Sequence, residues 1–315
     1  MIKIKRRFAL TALGAAGLAG CGRPLLLAFD DTKDPPIGGI GGTGIVGTLT
    51  DFGSLIINGL TVETDGSTVF TDAFGAIDQS RLAIGQGLTI EAAPVGGTLV
   101  ARRVHVADPL IGTIEAVSDG MLMVMGVQVD IERQAIAQAV PGQRVAVSGL
   151  WQGDRVIASR VTPLANDGPS AIAGAVMGGA IGGVSLVVSA STEAPEEGTF
   201  VTAIGQSRTG GFEVSEIIPG RFTGAAGAIA ALSVEGYLQP TDNAPFLEVS
   251  GLGHSFDASA KLEPFAQSRW LFEGPYSGTF DVDTGSQLPD GLTDRRDFFR
   301  GVRAQELTSE KIRAR

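Results

Sequence analysis

The strongest constraint on this chain is that its body repeats a short β-like pattern several times. Three seven-residue segments resemble one another, beginning at Gly85, Gly142 and Gly198. A weaker fourth copy runs from about Ile229 and includes Arg269–Gly274. Each copy is long enough for a small independent domain and too long for one rung of a two-stranded solenoid. The sequence therefore predicts about four tandem copies of one small fold.

Within each copy, apolar side chains alternate with other side chains at a period of two. In the first two copies the apolar positions are Leu60, Val62, Leu88, Ile90, Val127, Val129, Val145 and Val147. Such alternation, with Gly at the breaks, is typical of half-buried strands. Four or five short strands can close into a barrel, which removes exposed edge strands. We therefore expect an all-β string of small OB-like or SH3-like β-barrels. The intervening residues are expected to face outward or onto neighbouring copies: Thr61, Thr89, Gln128 and Ala146.

The repeats divide the chain into seven segments. These are 1–20 (lipoprotein signal peptide), 21–37 (lipidated Cys and linker), 38–108, 109–166, 168–222 and 228–290 (barrel copies 1 to 4, the last divergent), and 291–315 (basic tail). The tail is predicted to be a short helix or disordered. We expect any ordered contact of the tail to be made through Phe298 and Phe299, with its arginines on the rim, because burying an aromatic side chain contributes more than screened surface charge.

An uncharged stretch at 170–192 allows two interpretations. Gly174, Gly178 and Gly182 are spaced as in a glycine-zipper membrane helix. The same stretch also aligns with the first hairpin of the preceding copy, and its five glycines disfavour a helix. The hairpin is the favoured interpretation.

The N-terminus has the features of an export signal. Five residues from Lys3 to Arg7 carry four basic groups, and residues 8–20 are uncharged and mostly apolar, which is too short to span a bilayer. The stretch ends in Leu18-Ala19-Gly20-Cys21, which resembles the bacterial lipobox, and Cys21 is the only cysteine. This resemblance implies lipidation of Cys21 and membrane anchoring through acyl chains. Gly22 in the next position favours an outer-membrane lipoprotein, facing the periplasm or the cell surface, by either Sec or twin-arginine export.

Composition and motifs argue against several functions. The chain has 34 acidic and 24 basic residues, with the basic ones concentrated at its two ends, so the body is unsuited to nucleic acid. One Cys and two His exclude a Cys-rich or His-rich metal site. Residues 39–44 match a dinucleotide fingerprint without the strand and helix that it needs, and residues 253–257 form an incomplete nucleophile elbow. We expect no enzyme, no cofactor and no metal.

Two tryptophans are candidate ligand-stacking residues. Trp151 and Trp270 occupy comparable places in the second and fourth copies, and exposed indoles bind sugars or peptides by stacking. Lone aromatic residues of small barrels more often pack in the core or at the rim, so packing is the favoured interpretation and stacking the alternative.

Residues 42–59, with their Gly-Thr-Gly-Ile, Phe-Gly-Ser-Leu and Ile-Asn-Gly runs, resemble the opening of a bacterial family of unknown function, the DUF family numbered 5666. The resemblance covers 41–109, continues through 110–166 and fades in the later copies. Members recur in tandem on exported lipoproteins, so the resemblance supports the predicted architecture and location. It supplies no catalytic residue.

These observations predict a non-enzymatic, lipid-anchored envelope protein that binds or spaces other components, with an envelope protein or glycan as partner. An enzyme with a site between barrels and a purely structural spacer are the alternatives. An enzyme should cluster Asp, Glu, His or Ser in one inter-barrel cleft. A binding module should have a concave aromatic or polar face, and a spacer should have neither.

Overall fold

The computed structural model describes residues 41–131, 139–189, 192–240, 246–257 and 268–313, and these form 22 strands and one α-helix. The first two copies contain β1 (Gly42–Asp51), β2 (Leu55–Ile57), β3 (Leu60–Glu63), β4 (Val69–Asp72), β5 (Gly75–Ala76), a 3-10 turn (Gln79–Arg81), β6 (Gly87–Val95), β7 (Thr98–Val106), β8 (Leu110–Ser118), β9 (Met121–Val124), β10 (Val127–Ile131), β11 (Arg144–Gln152) and β12 (Arg155–Pro163).

The remaining elements, in chain order, belong to the third and fourth copies and the C-terminal helix. They are β13 (Ser170–Ala175), β14 (Ala180–Ile181), β15 (Val184–Val187), β16 (Phe200–Arg208), β17 (Gly211–Pro219), β18 (Ile229–Pro240), β19 (Phe246–Val249), β20 (His254–Asp257), β21 (Arg269–Pro275), β22 (Thr284–Leu288) and α1 (Leu292–Arg313). Strands β13 to β15 occupy residues 170–187, so the hairpin interpretation of this stretch is confirmed. No helix in the described ranges is long and apolar enough to cross a membrane.

The first two copies are closed five-stranded barrels with identical connectivity. In the first barrel the ring runs β1-β2-β3-β7-β6 and returns to β1, with β3 and β7 parallel. In the second it runs β8-β9-β10-β12-β11 and returns to β8, with β10 and β12 parallel. One parallel pair in an otherwise antiparallel Greek-key ring is the arrangement of an OB-type barrel. The predicted small barrels are therefore confirmed.

The third and fourth copies use the same neighbours and leave one seam open among the described residues. The third is ordered β13-β16-β17-β15-β14, again with one parallel pair, β15 and β17. The fourth is ordered β20-β19-β18-β21-β22. Both follow the connectivity of the first two, so we refer to all four as barrels.

Tight turns explain why the second and third strands of the first two barrels pair. Asn58 and Gly59 have φ values of 52° and 75°, and Met125 and Gly126 have φ values of 52° and 77°. Positive φ at both central residues defines the hairpin turn whose twist matches that of paired strands, and Asn-Gly is its commonest sequence.

The alternation predicted from the sequence is confirmed in the core. Leu60 is half-buried, and the other seven predicted inward residues are 1 % exposed or less. Among the residues predicted to face elsewhere, Thr61 is exposed, whereas Ala146 packs against residues of neighbouring barrels. Apolar residues of the second and third barrels form one continuous cluster.

The four barrels pack against one another, which corrects the expectation of a string. Strand β1 pairs in parallel with β18, so the first barrel joins the fourth, and β8 pairs with β13, so the second joins the third. Ser159 Oγ donates to Gly85 O at 2.7 Å between the second and first barrels. Gly153 N donates to Ser250 Oγ at 2.8 Å between the second and fourth. Barrels that are remote in sequence are therefore in contact: the first with the fourth, and the second with the fourth.

The C-terminal helix packs on the fourth barrel. Phe299 is buried with Leu271 and Leu288, and Phe298 packs beside it, so the predicted contact through the two phenylalanines is confirmed. The prediction that the arginines lie on the rim is wrong for Arg295. Arg295 is completely buried, because Glu235 provides a carboxylate at 3.4 Å beneath the helix.

Candidate functional site

The sequence predicts three site residues, Cys21, Trp151 and Trp270, and the structure describes the last two. Cys21, the expected lipidation site, lies outside the residues that the structure describes. Trp151 is 4 % exposed, and its indole Nε1 donates to Ala173 O at 2.8 Å. The ring also packs against Gly251 of the fourth barrel, which leaves no room there for a Cβ. Trp151 therefore helps to join three barrels.

Trp270 is also internal. It is 3 % exposed and stacks on Phe272 with ring centroids 6.1 Å apart, inside the core of the fourth barrel. A buried ring has no face open to a ligand. Trp151 and Trp270 therefore pack inside the fold, and the possible stacking role of both residues is wrong.

The candidate site is instead a cleft between the first and third barrels, with a volume of about 550 Å³. Volumes of this size are usual for small-molecule sites. The side chains that define the cleft are Asp72, Phe74, His105, Asp108, Glu216, Ile218 and Arg221. Two apolar side chains at the cleft, Phe74 and Ile218, are exposed to solvent by 43 % and 39 %.

Strand register places a row of polar side chains on the outside of the first barrel. Thr71 pairs with His105 between β4 and β7, and His105 pairs with Thr89 between β7 and β6. Thr71 Oγ1 lies 3.0 Å from His105 Nδ1, within hydrogen-bonding distance. At the other end of the row, Thr89 Oγ1 accepts from Arg221 Nη1 at 3.0 Å. The row therefore connects β4 of the first barrel to the loop that follows the last strand of the third barrel.

That loop, residues 220–228, is fastened to the first barrel by a buried carboxylate. Glu91, in β6, accepts from the Thr223 amide and, at 2.7 Å, from Thr223 Oγ1. The Ala226 amide donates to the other carboxylate oxygen at 3.3 Å. Arg103 Nε adds a 3.0 Å bond to Thr223 Oγ1. These bonds fix the wall of the cleft that carries Arg221.

The surroundings of the cleft shift the pKa values of two side chains, His105 and Asp108, in opposite directions. Burial, with the charges of Arg221 and Arg103, lowers the pKa of His105 to about 4, against the opposing effect of Asp72. Burial raises the pKa of Asp108 to about 6, although Ser148 donates a hydrogen bond to its carboxylate. At neutral pH, His105 is therefore uncharged and Asp108 is mostly ionised.

Arg221 is the most unusual charge in the cleft. Its guanidinium carbon lies 3.8 Å from the centre of the Phe200 ring, a cation–π contact. Its Nε is buried and has no hydrogen-bond partner among the described residues. Burial lowers its pKa to about 9, which leaves it protonated at neutral pH.

The arrangement can bind a small molecule through several convergent polar groups beneath an apolar rim. No group of three or more potential metal ligands occurs in the described parts of the chain. Sequence reasoning placed His105 in a strand and missed Asp72, Asp108, Phe200 and Arg221. These residues come from different repeats, so no spacing along the chain links them.

Comparison with known families agrees with the repeat structure. Residues 43–105 and 111–162 each match the family described as a domain of unknown function (DUF5666). The chain thus carries two tandem copies of that domain, which correspond to the first two barrels. No curated protein and no solved structure matches the chain.

Proposed function

We propose that this chain is a non-catalytic binding protein of the bacterial cell envelope, anchored by a lipid on Cys21, and that its ligand occupies the cleft. The location rests on Leu18-Ala19-Gly20-Cys21, its position after an apolar stretch and the basic residues before that stretch. Acyl chains on Cys21 would hold the protein at the outer membrane without a membrane-spanning helix.

The single observation that carries the binding role is the cleft itself. It has the volume of a small-molecule site, polar groups from two barrels converge in it, and the partly exposed Phe74 and Ile218 line it. Exposed apolar side chains around a polar concavity are a feature of ligand sites. A pure spacer needs no such concavity.

One observation favours the catalytic alternative. Asp72, His105, Asp108 and Glu216 line one inter-barrel cleft, as expected of an enzyme built between barrels. We nevertheless favour binding, because a histidine with a pKa near 4 is a weak general base at neutral pH. In addition, its described hydrogen bond goes to Thr71. Among the described side chains, no serine forms a hydrogen bond with a histidine.

Blocking the cleft tests the binding role. Ile218→Trp would place a bulky ring at the cleft, whereas Val187→Trp changes another exposed residue of the third barrel outside it. The full chain and both variants are screened by thermal unfolding against a small-molecule library, since ligands of the native state raise the melting temperature. We expect hits that I218W loses and V187W keeps. The absence of hits, or equal hits in I218W and the unmodified chain, would contradict the proposal.

A further inference from the structure

Among the described residues Arg221 has no carboxylate partner, in contrast to Arg269 and Arg295. Arg269 and Arg295 lie 3.0 and 3.4 Å from Glu235. Arg144 donates to the carbonyl oxygens of Ala165 and Pro169 at 3.2 and 2.5 Å. Arg221 bonds only Thr89 Oγ1 within the described part of the chain, and no acid there lies within 4.0 Å of its guanidinium. Arg221 is thus a half-buried cation with no counter-charge from the described residues.

The described neighbours of Arg221 stabilise its positive charge but provide no negative charge to balance it. Phe200 supports one face of the guanidinium through its π electrons, which favours the cationic form. Thr89 accepts one hydrogen bond, so most of the five N–H donors of the guanidinium have no acceptor from the described residues. Because the side chain is half-buried, an anion that accepts from these donors would be attracted more strongly than at an open surface.

We propose that Arg221 recognises the oxyanion group, a carboxylate or a phosphate, of a ligand in the cleft. A guanidinium matches the geometry of both groups and binds them through paired hydrogen bonds. Arg103 lines the same cleft and supplies a second positive charge. This inference rests on the proposed function, because it names the chemical class that the binding site takes.

The rest of the cleft restricts the ligand further. Asp72, Asp108 and Glu216 line other parts of it and would repel additional negative charge. Phe74 and Ile218 offer apolar surface. The best ligand therefore carries one oxyanion on an apolar body small enough for a cavity of about 550 Å³.

Three matched probes test this assignment: benzoate, phenyl phosphate and the neutral benzyl alcohol. Affinities are measured by calorimetry on the full chain, on Arg221→Gln, and on Arg208→Gln as a control. Arg208 is an exposed arginine, 60 % accessible, on the hairpin of β16 and β17. We expect at least one anionic probe to bind ten or more times tighter than benzyl alcohol. R221Q should lose that preference, and R208Q should keep it.

The comparison of benzoate with phenyl phosphate distinguishes a carboxylate ligand from a phosphate ligand. Arg221→Lys keeps the charge and loses the planar fork, so it should bind the preferred anion with intermediate affinity. It also provides a readout if R221Q does not fold. If benzyl alcohol binds as tightly as the anions, or if R221Q or R221K binds them as tightly as the unmodified chain, the assignment of Arg221 is wrong while the cleft remains a binding site. If library screening also gives no cleft-dependent hit, the proposed function fails as well.

Discussion

Glu235 Oε1 lies 3.0 Å from Arg269 Nη1, and both side chains are almost completely withdrawn from solvent. The same carboxylate oxygen lies 3.4 Å from Arg295 Nε of α1, and the other accepts from the Thr48 amide of β1 at 2.7 Å. Burial alone would raise the pKa of Glu235, but the two arginines outweigh it and hold the pKa below its ordinary value. One carboxylate therefore joins the first barrel, the fourth barrel and the C-terminal helix.

Removing this carboxylate charge should destabilise the fold strongly. Glu235→Gln removes the negative charge that Arg269 and Arg295 both face, and breaking a buried pair typically costs about 3–5 kcal/mol. The free energy of unfolding, measured by urea denaturation, should fall by about this amount. Glu213→Gln is the matched control, because Glu213 pairs with Arg208 on the exposed surface and such pairs contribute about 0–1 kcal/mol. Similar losses in both variants would contradict the bridging role of Glu235.

The C-terminal helix provides a second stability prediction. Phe299 is 6 % exposed between Leu271 and Leu288, so Phe299→Ala should cost about 3–5 kcal/mol through the cavity it leaves. Phe298 is only partly buried, and Phe298→Ala should cost clearly less. Urea denaturation of both variants checks the order. A small and equal decrease in the free energy of unfolding of both variants would show that the helix is not part of the folded core.

The sequence predicts the barrels well, because alternation is a local property. The period of two at Val145 and Val147 identifies a buried face whatever else the strand contacts. By contrast, nothing near Glu235 or Arg295 reveals that these residues meet, since each contact depends on how distant repeats pack. The cleft is hidden for the same reason: His105 and Arg221 come from the first and third barrels. The sequence leaves a stacking role open for Trp151 because Gly251, which covers the ring, belongs to the fourth barrel.

The low pKa of His105 predicts a pH dependence of stability. Its pKa is about 4 in the folded chain and ordinarily 6.5, so between these values the unfolded chain binds a proton that the folded chain does not. Stability should therefore fall as pH decreases from about 6.5 towards 4, by on the order of 1 kcal/mol per pH unit.

His105→Gln isolates this effect, because the opposite contribution of Asp108 is present in both proteins. The free energy of unfolding of the unmodified chain, minus that of H105Q, should be constant above about pH 6.5 and should decrease below it. A difference that stays constant from pH 7 to pH 4.5 would show that the folded protein does not hold His105 in its neutral form.

The anchor is tested by Cys21→Ser in a bacterial host. A serine hydroxyl cannot replace the thiol that receives the lipid, so the variant should stay uncleaved and lose its membrane association. Detergent phase partitioning and precursor size measure the two effects. A C21S protein that still fractionates with washed membranes would contradict lipid anchoring.

The most direct test of the cleft as a ligand site is methyl NMR of the full chain labelled at Ile and Val, titrated with benzoate and with benzyl alcohol. Ile218, at the cleft, and Val187, outside it, are both exposed methyl-bearing residues of the third barrel. We predict a saturable shift of the Ile218 methyl signals with at least one probe, and no shift at Val187. Signals of Ile218 that do not move with either probe, or that move only as much as those of Val187, would contradict the account.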